Sequence, residues 1–124
     1  MTKVFISPTD KQVKDSDGIG RIVLAQHKHL SAFGIELVER WEDAEVIACH
    51  VTQNGLPHSD VAHLHGLYYS DIPHADYSTW NYRVNTDIAE SVRCAYAVTV
   101  PSEWTSHTIK RDFRITPYII GHGL

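Results

Sequence analysis

The sequence predicts an α/β fold, a single Rossmann-like domain whose mostly parallel sheet of about six strands carries helices on both faces. Two observations predict this fold. Short apolar runs rich in β-branched residues alternate along the 124-residue chain with segments of helical periodicity. Residues 97–120 also contain a complete strand–helix–strand unit, and such a unit implies parallel strands joined by a right-handed crossover.

The strand–helix–strand unit begins with the apolar run 97–100 (AVTV), which is typical of a buried strand. Pro101 cannot donate a ladder hydrogen bond, so the strand should end there. Ser102 is a favourable N-cap, and Glu103 in the first helical turn suits the positive end of the helix dipole. Residues 117–120 then resume a strand. The buried side of this helix is predicted to contain Trp104, Thr108, Ile109 and Phe113.

The first half of the chain supplies the other elements. Residues 3–7 form the first strand, the polar segment 9–17 a loop, and residues 18–33 a helix that Gly34 ends. Strands follow at 35–38, near a sheet edge, at 46–51, in the centre, and at 61–66. An irregular aromatic segment, 67–77, leads to a helix that Ser78 caps and that runs to about residue 95. The two helices are predicted to bury Ile19, Ile22, Val23, Gln26, Leu30 and Phe33, and Trp80, Val84, Ile88 and Val92, respectively.

Composition narrows the classes of partner. The formal net charge is −4 and no block of Lys or Arg occurs, which argues against nucleic acid or an anionic membrane surface. No apolar run approaches the roughly 18 residues that a membrane span needs, and the chain leads straight from Met1 into a strand without a signal-peptide pattern. Cys49 and Cys94 are predicted to be buried free thiols in a reducing, cytoplasmic setting, with a disulfide as the alternative. No cofactor is expected.

Ligands of open parallel sheets bind beyond the carboxyl ends of the strands, where the strand order reverses. Three polar segments follow strands and should share that edge: residues 17–21, 65–66 and 101–103. In the first of them, Gly18 and Gly20 would let backbone N–H groups approach an anion at a helix N-terminus. The dinucleotide-binding fingerprint would need a third glycine at position 23, which is occupied by Val23. A turn that needs glycine for its own geometry explains the segment equally well.

Histidines form the second candidate site. His65, followed by Gly66, ends a predicted strand, and its neutral imidazole could both donate and accept hydrogen bonds from a hydroxyl or phosphate. The alternative is a partly buried histidine bonded to backbone. His50 ends the preceding strand and is a weaker candidate.

The same histidines also admit a metal site. His63 and His65 alternate along a strand and so share a face, and His50, His58 or Asp71 could add ligands. No Cys-x-x-Cys or His-Glu-x-x-His motif accompanies them, so the sequence predicts no metal. For Ser102 and Glu103, helix capping alone is a sufficient explanation. A hydrolase triad is not expected, because no Gly-x-Ser-x-Gly turn occurs.

These segments together carry a family resemblance. A strand ending in V-P-S-E-W, a helix and then P-x-x-I-x-H-G-L resembles the close of the N-terminal domain of the family 4 retaining glycosyltransferases of GT-B fold. The G-I-G-R turn and the L-H-G segment are similar to that family's glycine loop and cleft histidine. The resemblance implies that Gly18, Gly20 and Arg21 face the donor phosphates, that His65 is catalytic, and that Gly66, Ser102 and Glu103 line the substrate cleft. Asp17 replaces the family's first glycine and would place negative charge near a phosphate.

The family implies transfer of a sugar from a nucleotide-diphosphate sugar to an acceptor with retained configuration. Residues 1–124 would be the acceptor-side domain, ending at the interdomain linker, and the donor would bind mainly to a C-terminal domain that this sequence lacks. We therefore expect no appreciable transferase activity from this chain alone, and possible self-association through the exposed cleft face. The alternative is a stand-alone α/β module that binds a nucleotide or phosphorylated ligand.

Overall fold

The computed structural model describes residues 1–66 and 79–122, and within them the predicted fold class is confirmed. The described chain forms a six-stranded, all-parallel sheet. Its strands are β1 (Thr2–Ser7), β2 (Ile35–Leu37), β3 (Val46–His50), β4 (Val61–His63), β5 (Ala97–Val100) and β6 (Tyr118–Ile119). The helices are α1 (Gly18–His29), α2 (Thr79–Cys94) and α3 (Glu103–Phe113), with 3-10 turns at Leu30–Phe33 and Trp41–Asp43.

The strand order, β2-β1-β3-β4-β5-β6, places the reversal between β1 and β3. The chain leaves β1 through α1 toward the edge strand β2, returns past β1 to β3, and then proceeds in one direction to β6. Because all strands are parallel, their carboxyl ends meet at one edge of the sheet. The crevice beside a reversal of strand order is where ligands of such sheets bind.

The register assigns the site residues to one face of the sheet. His50 lies opposite His63 across β3 and β4, and His63 lies opposite Thr99 across β4 and β5. Side chains directly opposite each other project from the same face, so all three point to one side. This is the face that carries α1, since Val4 and Ile6 of β1 pack there against Val23.

Helices α2 and α3 cover the opposite face, so helices do lie on both sides. The core there consists of Ala62, Leu64, Ile88, Val92, Val98, Val100 and Ile109. Each of these residues is at most 8 % exposed, and burying such side chains is the main favourable contribution to folding. No helix within the described ranges is long and apolar enough to cross a membrane.

The predicted helix ends are largely confirmed. Ser102 caps α3, its Oγ accepting the Thr105 N–H at 3.2 Å. Gly34 ends the 3-10 turn after α1 with a left-handed backbone, φ 76°, which glycine adopts without strain. The predicted cap Ser78 and the aromatic segment 67–77 lie outside the described residues.

Four predicted strands are shorter than the sequence suggested. Those expected at 35–38 and 117–120 form only Ile35–Leu37 and Tyr118–Ile119, and two others end early at the carboxyl edge. The strand expected at 61–66 ends at His63, so Leu64 to Gly66 continue beyond the sheet edge. The strand expected at 46–51 ends at His50, because Val51 turns into the left-handed region at φ 72°. His50 and His63 are therefore the last residues of β3 and β4, and they lie at the carboxyl edge of the sheet rather than in its interior.

Three large aromatic side chains predicted in the core are exposed: Phe33, Trp80 and Trp104. Phe33 follows the change from α to 3-10 geometry, which alters the period from 3.6 to 3.0 residues and turns the side chain away. In α3 the buried residues are Thr105, Ser106 and Ile109, so the buried stripe is rotated from the predicted one. Trp80 lies in the first turn of α2, whereas Ile88 and Val92 farther along are buried as predicted.

Both cysteines are free, as predicted, but only Cys49 is buried. Burial raises the pKa of the Cys49 thiol, which keeps it protonated. Cys94 ends α2 and is exposed, which corrects the prediction of two buried thiols.

Candidate functional site: a histidine cluster at the carboxyl edge

Four histidines from three separated parts of the chain meet at the carboxyl edge of the sheet. His50 is the last residue of β3, His63 is the last residue of β4, His65 follows two residues later, and His122 follows β6. The ring centroids of the contacting pairs are 4.9 to 5.2 Å apart. We call these four residues the histidine cluster.

Helix α1 fixes the orientation of the first ring. His50 Nε2 lies 2.8 Å from Gln26 Oε1. An amide oxygen only accepts, so His50 donates through Nε2 and its Nδ1 carries a lone pair. Nδ1 lies 2.9 Å from His65 Nε2, which must then be the donor of that hydrogen bond.

Strand β5 holds the second ring in a similar way. His63 Nδ1 is hydrogen-bonded to the Thr99 hydroxyl on the neighbouring strand. Its other nitrogen, Nε2, lies 2.8 Å from His122 Nε2. His50 and His63 thus each have one nitrogen held by a neighbouring element and the other turned toward the interior of the cluster.

Three rings of the cluster, those of His50, His63 and His65, are neutral imidazoles. His50 is 3 % exposed and His63 9 %, whereas His65 and His122 are half-buried. Burial, followed by repulsion from the neighbouring imidazoles, lowers the pKa of His50 to about 3 and that of His63 to about 4. Burial and His122 likewise lower the pKa of His65 to about 4, against a smaller opposing effect of the Asp17 carboxylate.

The glycine turn, which follows β1, lies at the same carboxyl edge as the cluster, and the effect of Asp17 on the pKa of His65 is consistent with this position. Asp17 is the N-cap of α1, its Oδ1 accepting the Ile19 N–H at 3.3 Å, and it lies close enough to act on the charge of His65. The expectation that the glycine segment and His65 share one edge agrees with this geometry.

The two glycines of that segment differ in their surroundings. A Cβ on Gly20 would meet the Lys14 carbonyl oxygen at 2.0 Å, so this glycine is required for the loop to pack on α1. A Cβ on Gly18 would meet nothing within 4 Å, and Gly18 is exposed at the start of the helix. Of the predicted loop residues, Gly18 and the exposed Arg21 remain available to a ligand.

The third predicted segment has a structural explanation. The Ser102 hydroxyl accepts the Thr105 N–H and is 3.0 Å from the Thr105 hydroxyl. Ser102 and the exposed Glu103 begin α3, which packs on the face opposite to that of His50 and His63. Within the part of the chain that the structure describes, no hydrogen bond or ion pair joins Ser102 or Glu103 to the histidine cluster. Gly66 adopts φ 149°, a backbone geometry that favours glycine directly after His65.

A groove leads to the cluster along the face that carries α1. Its volume is about 750 Å³, and one side is lined by Ile22 and Ala25 of α1 and by Leu30 of the following 3-10 turn. Ala48, Val61 and Ile120 line the other side, and His50, His63 and His122 lie among its walls. The polar groups of the site therefore meet an otherwise apolar channel, which is the usual composition of a small-molecule pocket.

The nitrogens of His50, His63 and His65 also satisfy the spacing of a metal site. One ligand atom from each lies within 4.8 Å of the others. Of the other ligands considered from sequence, His58 is paired instead with Asp60 at 3.5 Å, before β4, and Asp71 lies outside the described residues.

Sequence reasoning missed three members of the site: Gln26, Thr99 and His122. Gln26 was noticed only as the single polar residue of the apolar stripe of α1, and that interruption was the available signal. Thr99 carries no such signal, because only the pairing of β4 with β5 brings it to His63. His122 is the histidine of the P-x-x-I-x-H-G-L segment, and its place after β6 in the strand–helix–strand unit was the available signal.

Comparison with known proteins yields no match: no family model, no curated protein and no solved structure is significantly similar to this chain.

Proposed function

We propose that this domain is the acceptor-side half of a retaining glycosyltransferase of GT-B type. The observation that carries the proposal is the common position of Asp17, Gly18 and His65 at the carboxyl edge, beside the reversal of strand order. In the family that the sequence resembles, a glycine turn and a histidine line the cleft between two α/β domains. An all-parallel sheet with an open groove at that edge is compatible with one wall of such a cleft.

The proposal gives His65 the part of a neutral contact to the sugar or acceptor. With a pKa of about 4, its imidazole is uncharged at neutral pH and can donate one hydrogen bond and accept another. Gly18, which has open space around it, would bring the helix N-terminus near the ligand. The Asp17 carboxylate would disfavour direct contact of a diphosphate at this point, which supports the acceptor side rather than the donor side.

A second domain would supply what this one lacks. Stabilising the charge that develops on the departing diphosphate is usually the largest electrostatic contribution to such a reaction. His50, His63 and His65 do not supply it, since their lowered pKa values keep these three imidazoles neutral. The 124-residue chain alone should therefore not turn over a nucleotide sugar.

Amide NMR spectra of the chain, recorded during titration with a panel of acceptor sugars, nucleotide sugars and free nucleotides, test the proposal. We expect acceptor sugars to shift the amide signals of Gly18 and Gly66, nucleotides to bind weakly or not at all, and a coupled assay to detect no transfer. Tight binding of a free nucleotide at Gly18 would instead favour a stand-alone nucleotide module. Robust turnover by the chain alone would overturn the half-enzyme account.

The same proposal predicts exposed apolar surface that another domain would cover. Phe33 is 77 % exposed at the end of the groove, and Ile120 is 55 % exposed beside it. Through these residues the isolated domain would associate with a second copy. A monomer whose sedimentation is independent of concentration would contradict this part of the proposal.

A further inference from the structure

The histidine cluster is built as a metal site, and this inference does not rest on the proposed glycosyltransferase activity. We propose that His50, His63 and His65 bind a late first-row transition-metal ion, with Zn²⁺ as the representative, and that His122 supplies a fourth nitrogen. The sequence alone predicted no metal, because no known ligand motif occurs. The ligands are instead brought together by strand order.

The kind of ligand selects the kind of ion. Imidazole nitrogen suits Zn²⁺, Cu²⁺, Ni²⁺ and Fe²⁺, whereas Mg²⁺ and Ca²⁺ require oxygen ligands. No carboxylate of the described residues is hydrogen-bonded or ion-paired to the four rings. A site of imidazoles alone therefore excludes the hard cations and favours a borderline one.

The distances are close to those of a tetrahedral site. Two nitrogens bound to one Zn²⁺ at about 2.0–2.1 Å lie about 3.3 Å apart. The two nitrogen pairs in hydrogen-bond contact are 2.9 Å apart for His50 and His65 and 2.8 Å apart for His63 and His122. The three principal ligand atoms lie within 4.8 Å of one another. Ring movements of about 1 Å would bring the nitrogens to bonding distance of one ion.

The groups hydrogen-bonded to the outer nitrogens of His50 and His63 are of the kind found around metal-bound histidines. Metal-bound histidines usually donate their second N–H to a carboxylate, a carbonyl or another fixed acceptor, and this bond fixes the tautomer. His50 donates Nε2–H to Gln26, which leaves Nδ1 as the ligand. The Thr99 hydroxyl at His63 Nδ1 likewise leaves Nε2 for the ion. His65 would move its proton from Nε2 to Nδ1 as its hydrogen bond to His50 is replaced by a metal bond, so binding releases no net proton.

The route for the ion is also present. The groove of about 750 Å³ reaches His50, His63 and His122, and His122 is half-buried. An ion bound there would join the end of β3, the end of β4 and the segment after β6. We therefore expect it to stabilise the carboxyl edge and to raise the temperature of thermal unfolding.

Cobalt and zinc titrations of chelator-treated protein test the proposal. We expect one equivalent of Co²⁺ to produce the intense visible absorption of four-coordinate cobalt, and Zn²⁺ to displace it. H65Q should weaken Zn²⁺ binding at least about 100-fold, because it removes a ligand that lies outside the strands. Q26A, which removes only the positioning residue behind His50, should weaken binding about 10-fold. H107A, at an exposed histidine of α3, is the matched control and should change neither value.

Circular dichroism of each variant distinguishes ligand loss from unfolding, and H65Q is chosen because His65 is only half-buried. Weak, six-coordinate cobalt absorption in the wild-type protein would overturn the proposal. Binding that H65Q leaves intact, or that H107A reduces as much as H65Q does, would also overturn it. Because no sugar or nucleotide enters these titrations, their failure would leave the glycosyltransferase proposal to its own test.

Discussion

Individual atoms at the carboxyl edge decide which chemistry is open to the site. Gln26 and Thr99 each occupy one nitrogen of a buried imidazole, that of His50 and of His63 respectively. The remaining nitrogens of these two rings contact His65 and His122. This arrangement needs no charge on the rings, and burial opposes one. The result is a site of neutral donors and acceptors, suited to a sugar hydroxyl or, with a tautomer change, to a metal ion.

Glycine at two nearby positions provides a test at the scale of the residue. We expect G20A to lower the free energy of unfolding by about 3 kcal/mol, because the added methyl group would meet the Lys14 carbonyl oxygen at 2.0 Å. G18A is the matched control, since it adds a methyl group into open space at the start of the same helix. It should leave stability unchanged or raise it by up to about 1 kcal/mol through helix propensity.

Urea unfolding of the two variants measures both values. A G20A variant as stable as G18A would show that the close approach of the loop to α1 does not exist in solution. The contrast also separates the roles of the two glycines, which the sequence pattern presents as one motif. Only Gly18 would remain a candidate for ligand contact.

At the scale of the element, local sequence signals were reliable where they act within one helix or strand. The cap at Ser102, the stop at Gly34 and the buried Ile88 and Val92 all follow from spacing and turn chemistry. Predictions failed where a neighbouring element decides. The rotation of α3, which exposes Trp104, depends on how closely Thr105 and Ser106 let the helix approach the sheet.

Helix α2 contains a testable exception to good packing. Ser91 is fully buried, and its Oγ has no hydrogen-bond partner in the described structure. We expect S91A to raise the free energy of unfolding by about 1 kcal/mol, because an unsatisfied buried hydroxyl is removed and alanine favours the helix.

Ser59 offers the matched control for this change. It is equally buried, but its Oγ donates to the Val61 carbonyl oxygen at 2.9 Å. S59A should lower stability by about 1 kcal/mol, since a buried acceptor loses its partner. Thermal unfolding of both variants decides the matter, and a loss of stability in S91A would mean that its hydroxyl has a partner after all.

At the scale of the whole molecule, the parallel sheet could be predicted but the site could be predicted only in part. Alternating strands and helices lead to one carboxyl edge, and this reasoning correctly brought His65 and the glycine turn together. It could not bring in Gln26 or Thr99, because no local pattern tells which strand a helix covers or that β4 pairs with β5. Strand order, which places β6 beyond β5 and α1 over β3, is a property of the complete fold.

The burial of these histidines at the carboxyl edge also makes the stability of the fold depend on pH. In the unfolded chain His50, His63 and His65 take up protons near pH 6.5, whereas in the folded chain these three residues resist protonation until about pH 4 or below. Stability should therefore be complete above about pH 6.5 and should fall as the pH decreases toward 4. Burial is the main cause of these lowered pKa values, and the neighbouring rings of the cluster add to it, with His27 also acting on His50 and Asp17 opposing the shift of His65.

The histidine ring nitrogens report on this central claim most directly. In long-range ¹H–¹⁵N spectra of metal-free protein between pH 8 and pH 5, we expect His50, His63 and His65 to remain neutral, with the proton of His50 held on Nε2. Rings that instead titrate together near pH 6.5, with averaged tautomers, would contradict the existence of a buried histidine cluster at the edge of the sheet.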